Sequence, residues 1–297
     1  MDDTLFRRSV DQAGAMGFET LVLTPVNGDV FMDKNIIRRM EYIEHSSIKF
    51  HEFYTNFIGA DEAAIMSLLA MKKLRYMEIS VYGHDLDSFL NIPRRGRPQY
   101  GRLVNNLRTL EALLADTRGG PRIAIGIRTY RSFRHCEGKR NDLLDVIESL
   151  RERGAVVEVS SMVDNWGGDV NQADIADIEM DLTDGRYIYR KGPCARPFDA
   201  VQITADGKLN ACACRDPRGL LTLGSVETQS LAEILSTDNK KWMAIIDDHD
   251  AGRFNSVCGA CGFYQSIYDH RPMLGSRTED VMSREEFFRR DTRRFRS

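Results

Sequence analysis

Four cysteines in the last third of the chain have the residue type and spacing to hold an inorganic cofactor. Cys194 stands in Gly-Pro-Cys-Ala-Arg-Pro, Cys212 follows the Asp206-Gly207 turn, and Cys258 and Cys261 form a Cys-Gly-Ala-Cys pair. Thiolates bind soft and borderline metals, so the set suits zinc or an iron–sulfur cluster. Cys194 and Cys212 enclose seventeen residues and a β-turn rather than a short knuckle, a spacing that closes either kind of site. Cys214, two residues beyond Cys212, offers a spare thiol. The turn brings Cys212 back toward Cys194, so Cys212 is the preferred ligand and Cys214 the substitute. Cys136, in Phe-Arg-His-Cys-Glu-Gly-Lys-Arg, stands apart from the other five.

The composition bounds what such a site can serve. At 297 residues, one large domain and one smaller one are expected. Hydrophobic residues make up 42% and charged residues 29%, and the net charge is −3. That balance supplies no bulk attraction to nucleic acid or to an anionic membrane. No apolar run reaches the length of a membrane span, and the first residues lack the apolar stretch of a secretory signal. A cytoplasmic location is the expectation, and there clustered cysteines serve as ligands more often than as disulfides. The six histidines have no metal-binding spacing and read as surface or supporting groups, with His84 the one considered for substrate contact.

The elements that must position the cysteines follow from hydrophobic periodicity. Helices are predicted over 5–16, 35–44, 61–73, 100–116 and 141–153, and strands over 20–24, 48–54, 76–82, 122–128 and 156–163. Repeated strand–helix units imply a parallel sheet with right-handed crossovers, as an open doubly wound sheet or a partial barrel. Ligands gather at the carboxyl ends of such strands, where Asn27-Gly28-Asp29, Thr55-Asn56, Gly83-His84-Asp85 and Asn165-Trp166-Gly167-Gly168 fall. Beyond residue 185 the pattern turns to short strands. Asp206-Gly207 marks a hairpin between 200–204 and 209–212, and Ser230-Leu-Ala-Glu233 is a capping box. The charged stretch from Arg284 to Arg296 reads as an exposed helix or tail.

Cys194, Gly207 after twelve intervening residues, Cys212, Leu223-Gly-Ser-Val226, Ser230-Leu-Ala-Glu-Ile-Leu235 and Cys258-x-x-Cys261 resemble the SPASM/twitch extension of radical S-adenosylmethionine (SAM) enzymes. The resemblance implies one auxiliary [4Fe–4S] cluster on Cys194, Cys212, Cys258 and Cys261. Earlier segments resemble the SAM-facing motifs of the same enzymes. Asn27, Gly28 and Asp29 stand where the amino group of SAM is bound, although the family's proline is missing. Thr55 and Asn56 match a Thr-Asn-Gly segment, with Phe57 in place of the glycine. Ser80 matches a SAM-facing serine, Arg128 a partner of the SAM carboxylate, and Asn165 to Gly168 a strand exit near the adenine.

The resemblance therefore implies an α/β fold. A partial (β/α) barrel of the radical SAM type would occupy 1–185, a small β-rich SPASM/twitch domain 186–270, and a charged helix or tail 271–297. It implies an enzyme in which a [4Fe–4S] cluster reduces SAM to a 5′-deoxyadenosyl radical. The expected substrate is a peptide or protein side chain, with a small metabolite less favoured, and the expected electron donor a flavodoxin or ferredoxin. The CxxxCxxC loop that holds the reactive cluster is not in the sequence. The expectation is a truncated chain, inactive alone, with a second cluster only when that segment is present. The rival is a degenerate paralogue, an iron–sulfur or zinc module that scaffolds or carries a peptide.

Overall fold

Five short segments with apolar residues at alternate positions assemble into one parallel sheet. The computed structural model describes residues 1–115, 119–134, 141–183, 185, 188–213 and 215–268. Cys136, Cys214, His135, His270 and the stretch 271–297 lie outside the described residues. The elements of the first part are α1 (Asp3–Ala15), β1 (Thr20–Val22), α2 (Ile36–Glu44), β2 (Phe50–Thr55), α3 (Glu62–Ala70), β3 (Leu74–Tyr82), α4 (Leu86–Asn91), α5 (Arg97–Ala115), β4 (Arg122–Arg128), α6 (Asp142–Glu152) and β5 (Val156–Ser160). Residues Phe6–Val163 and Ala173–Asp181 form one compact unit. Residues Met1–Leu5, Asp164–Gln172 and those from Leu182 on form a second.

The strand order is β1-β2-β3-β4-β5, with every neighbouring pair parallel. A doubly wound sheet reverses direction partway along its order, and this one never does. With right-handed crossovers, a sheet that always advances the same way carries its helices on one face, as a partial barrel does. On that face Phe53, Met77, Ile79, Val81, Ile125 and Ile127 pack with Leu103, Leu107, Leu110, Leu143 and Ile147 in one core. His51, fully buried, joins that side and bonds the Glu44 carboxylate at 2.9 Å. It is a core group, where the sequence reading had a surface or supporting one.

The opposite face is polar. Tyr76, Glu78, Ser80 and Tyr82 alternate along β3 with the core residues, and Gly126 and Arg128 stand beside Ser80 and Tyr82 on β4. Buried parallel sheets are ordinarily apolar on both sides, so the polar face makes this side the candidate for ligand contact.

Two differences from the sequence reading have local causes. The strand read over 156–163 ends at Ser160, and a separate short strand β6 (Met162–Asp164) follows. Helix α4, not predicted, is six residues closed by Asp85, whose side chain accepts from the Ser88 amide in a capping box. Six residues carry too little periodicity to register.

The second unit holds β7 (Asp181–Thr183) at its entrance, then α7 (Arg196–Asp199), β8 (Gln202–Ile203), β9 (Lys208–Asn210), β10 (Thr222–Ser225), α8 (Leu231–Ile234), α9 (Lys240–Asp250) and α10 (Ser256–Ala260). Strands β10, β9 and β8 form an antiparallel sheet in that order. The expected hairpin turn is present, with Gly207 at φ +78°, a conformation that favours glycine. The expected capping box closes α8.

Candidate functional site

Each unit carries one candidate site. In the second, the four cysteines arrive on three pieces of local structure. Cys194 precedes α7 and lies on a strip where the Ala195 amide donates to the Gln265 carbonyl at 2.7 Å and the Ile267 amide to the Pro193 carbonyl at 2.9 Å. Cys212 leaves β9 just after Ala211, whose amide donates to the Leu221 carbonyl at 3.0 Å. Cys258 lies on α10, where its amide donates to the Asn255 side chain at 2.9 Å. Cys261 ends that helix, and its Sγ accepts from the Phe263 amide at 3.3 Å.

All four thiols are free, and they converge: electrostatic interaction links every pair among Cys194, Cys212, Cys258 and Cys261. Burial pushes the Cys258 thiol up to about 12, and the other three cysteines add to the shift. Burial likewise raises Cys194 and Cys261. Among the described residues no three His, Cys, Asp or Glu groups close on a single metal ion. A tetrahedral zinc with bonds of about 2.3 Å holds its sulfurs less than about 4 Å apart. By residue type, four converging thiols suit either zinc or an iron–sulfur core.

Two guanidinium groups make the surroundings suit an anionic cluster. Arg190 donates from Nε to the Cys258 carbonyl at 2.9 Å and from Nη2 to the carbonyls of Cys261 at 2.7 Å and Gly185 at 2.8 Å. Its Nη1 donates to the Ile188 carbonyl at 2.9 Å. Arg215 lies 4.2 Å from the centroid of the Phe263 ring and 5.0 Å from that of Trp166, and pairs with Asp164 at 2.9 Å. The Asn165 side chain donates to the Ala260 carbonyl between the paired cysteines at 2.8 Å. The Asn165–Gly168 turn, read from the sequence as a strand exit near an adenine, thus braces the cysteine pair. His249, also read as a surface or supporting group, is buried against Phe254, and its pKa falls to about 4 through burial.

The raised thiols predict a pH effect in the metal-free chain. Between the ordinary cysteine value near 9 and about 12, the folded state keeps the Cys258 proton that the unfolded chain has lost. Stability is therefore whole below pH ~9 and declines as pH climbs toward ~12. Denaturant midpoints from pH 8 to 11 test this. The decline is expected to vanish in the cluster-loaded protein, where no thiol proton remains to be lost.

In the sheet unit the remaining candidate residues split into two groups. Asp29 accepts from the Thr55 hydroxyl at 3.0 Å, the Asn56 amide at 2.7 Å and the Phe31 amide at 3.0 Å. Its carboxylate ties the loop after β1 to the end of β2, and Asn27 and Gly28 lie exposed beside it. Phe57 has φ +61°, a conformation that favours glycine, and its ring is fully buried. The buried Asn106 side chain holds this bend by donating to the Phe57 carbonyl at 2.8 Å.

Ser80 and Arg128 form the second group, on the polar face of β3 and β4. Arg128 lies 5.7 Å from the centroid of the Tyr82 ring and 3.6 Å from the Glu78 carboxylate. Its Nη1 is buried with no hydrogen-bond partner among the described residues. An orphaned charged donor of that kind fits a ligand carboxylate. Past the strand ends, His84, Asp85, Tyr130 and Phe133 line a cleft of about 370 Å3. There His84 stacks on Phe133 at 4.1 Å and bonds the Thr129 hydroxyl at 2.6 Å, and burial lowers its pKa.

Sequence reasoning passed over Glu78, Arg190 and Arg215. Arg190 acts on carbonyls some seventy residues away, which leaves no local pattern. Glu78 had a signal, an acid alternating with apolar residues in the strand read over 76–82.

Residues 194–262 match the SPASM family, an iron–sulfur cluster-binding domain. The structure of anSMEcpe with bound AdoMet and the Kp18Cys peptide is similar over 99% of this chain and 89% of that one, with 12% identity and a TM-score of 0.53. SuiB from Streptococcus suis, bound to S-adenosylmethionine, is similar over 82% of this chain and 60% of that one, with 12% identity and a TM-score of 0.52. BtrN in complex with AdoMet and 2-DOIA has 14% identity over 88% of this chain and 80% of its own, with a TM-score of 0.49. No curated protein matches the sequence. The fold is thus the α/β fold of radical SAM enzymes with a C-terminal SPASM domain. No described helix is long and apolar enough to cross a membrane.

Proposed function

We propose that this chain, with a radical SAM fold and a SPASM domain, is part of an enzyme that modifies a peptide or protein side chain by radical chemistry. The observation that carries the reading is the cradle of four mutually coupled thiols inside the segment that matches an iron–sulfur domain. Cys194, Cys212, Cys258 and Cys261 would hold one auxiliary [4Fe–4S] cluster, with Arg190 and Arg215 offsetting its negative charge. In the sheet unit, Arg128 and Ser80 would bind the methionine part of SAM. The Asp29–Thr55–Asn56 linkage keeps the adjoining strand ends in register for that ligand. In an enzyme that also carried the SAM-cleaving cluster, the cofactors would supply hydrogen-atom abstraction from the substrate, with electrons from a donor of the flavodoxin or ferredoxin kind. The peptide complex of anSMEcpe supports a peptide substrate over a small metabolite.

The sequence contains no CxxxCxxC, so these 297 residues are expected to bind SAM without cleaving it. Anaerobic reconstitution with iron and sulfide is expected to give about four irons per chain and a brown absorption near ~400 nm. Equilibrium dialysis is expected to show bound SAM, and chromatography after reduction no 5′-deoxyadenosine. A colourless protein holding one zinc would overturn the cluster, and a chain that does not bind SAM would overturn the enzyme reading in favour of a non-catalytic module. Release of 5′-deoxyadenosine would overturn the claim of inactivity.

A further inference from the structure

We infer that Glu78 is a positioning residue that presets Arg128 for the carboxylate of SAM, in a slot that exists because residue 126 is glycine. The inference rests on the proposed SAM reading and adds to it the device that prepares the site before the ligand arrives.

Three groups in two adjacent strands make the device. The Tyr76 hydroxyl donates to Glu78 Oε2 at 2.9 Å, which holds one carboxylate oxygen. The other oxygen, Oε1, faces Arg128 Nη2 at 3.6 Å. Tyr76, Glu78 and Arg128 share one face of the sheet, and Gly126, the register partner of Ser80, lies between Glu78 and Arg128 on that face. A Cβ at position 126 would come within 3.1 Å of Glu78 Oε1 and 3.5 Å of Arg128 Nη1. Any larger residue would therefore push into the space the ion pair occupies.

The charge arrangement gives the device its purpose. An arginine half-buried on a strand, with no counter-ion, would swing toward water. Glu78 supplies the counter-ion from one side and Tyr82 a ring face from another, while Nη1 is left buried without a partner. A planar guanidinium offers a carboxylate two parallel donors only when its plane is already set. Presetting that plane lowers the ordering cost paid on binding. A ligand carboxylate would satisfy the orphaned nitrogen, so the gain belongs to ligands that carry one.

The test compares two nucleosides that differ in the methionine end: S-adenosylmethionine, and methylthioadenosine, which has no carboxylate. Binding of both to the full 297-residue chain is measured by calorimetry for the parent, Glu78→Gln and Gly126→Ala. Glu78→Gln keeps the shape and removes the charge. It is expected to weaken S-adenosylmethionine about tenfold, the worth of a charge-assisted contact, and to leave methylthioadenosine within about twofold. Gly126→Ala is expected to show the same selective loss, with circular dichroism and melting confirming the fold. Equal loss for both nucleosides, or none for either, overturns the positioning role while leaving the SAM reading in place. A parent chain that binds neither nucleoside overturns both.

Discussion

Replacing Cys258 or Cys261 by alanine is expected to empty the cluster site. Each removes one of four thiolates, and an iron–sulfur core with an open corner on a partly solvated loop is lost to hydrolysis or oxidation. The iron content of the reconstituted protein should fall from about four per chain to below about one. Because the ligands come from three separate segments, cluster binding is also folding free energy for the domain that carries it. A loss of about 3 kcal/mol or more corresponds to a drop of at least ~12 °C in the melting of a unit of this size. Amide exchange across 194–262 should accelerate with it. Cys212→Ala should behave alike, since Cys212 interacts with Cys194, Cys258 and Cys261. Full iron content in the Cys212 variant would pass that corner to another thiol; full iron in the Cys258 or Cys261 variant would sink the ligand assignment.

Arg190→Met should be nearly as damaging, for a different reason. Four backbone carbonyls, including those of both paired cysteines, take their donors from this one guanidinium. Burial holds the Arg190 pKa below its usual range, while the cysteines act to raise it. Removing the side chain leaves the carbonyls to water or to nothing, at a cost of about 1–3 kcal/mol for each group that stays buried and unpaired. The hold of Arg190 on Gly185 and on the cysteine pair is expected to be lost, and iron uptake to slow. Arg190→Lys separates shape from charge. Lysine keeps the cation but lacks the planar fork that reaches several carbonyls at once. It should leave the domain destabilised while preserving the potential of any cluster that assembles. In the methionine variant the lost cation disfavours the more negative, reduced cluster. A shift of about 1 kcal/mol, on the order of 40 mV downward, is expected in a spectroscopically monitored redox titration. An unchanged potential in Arg190→Met would show that the guanidinium is scaffold alone.

Much of the sheet was readable because its physics is local. Phe53, Met77, Ile79 and Ile125 stand at alternate positions, and each following helix shows its apolar stripe. Period and element length together specify a parallel α/β unit before any contact is known. The hairpin at Gly207 and the cap at Ser230 were equally plain, since each is a rule about residues within three positions of one another. The cysteines were legible as candidate ligands because thiols have few other uses in such a cluster. What stayed hidden is long-range. Asp29, proposed from its position as a ligand to an amine, is engaged by Thr55 and Asn56, a linkage that exists only once β1 and β2 are side by side.

By itself, the order of residues determined the alternation of strand and helix and singled out four thiols as candidate ligands of zinc or an iron–sulfur cluster. Those properties follow from side-chain type and short-range spacing. Only the tertiary structure decided between a partial barrel and a doubly wound sheet, because the order β1 to β5 is a matter of which strands pair. It alone brought Arg190 onto the carbonyls of Cys258 and Cys261, and Glu78 onto Arg128 across the gap left by Gly126. Such contacts join residues far apart along the chain, and hydrogen bonds and charge pairs leave no periodic trace when their partners are brought together only by folding.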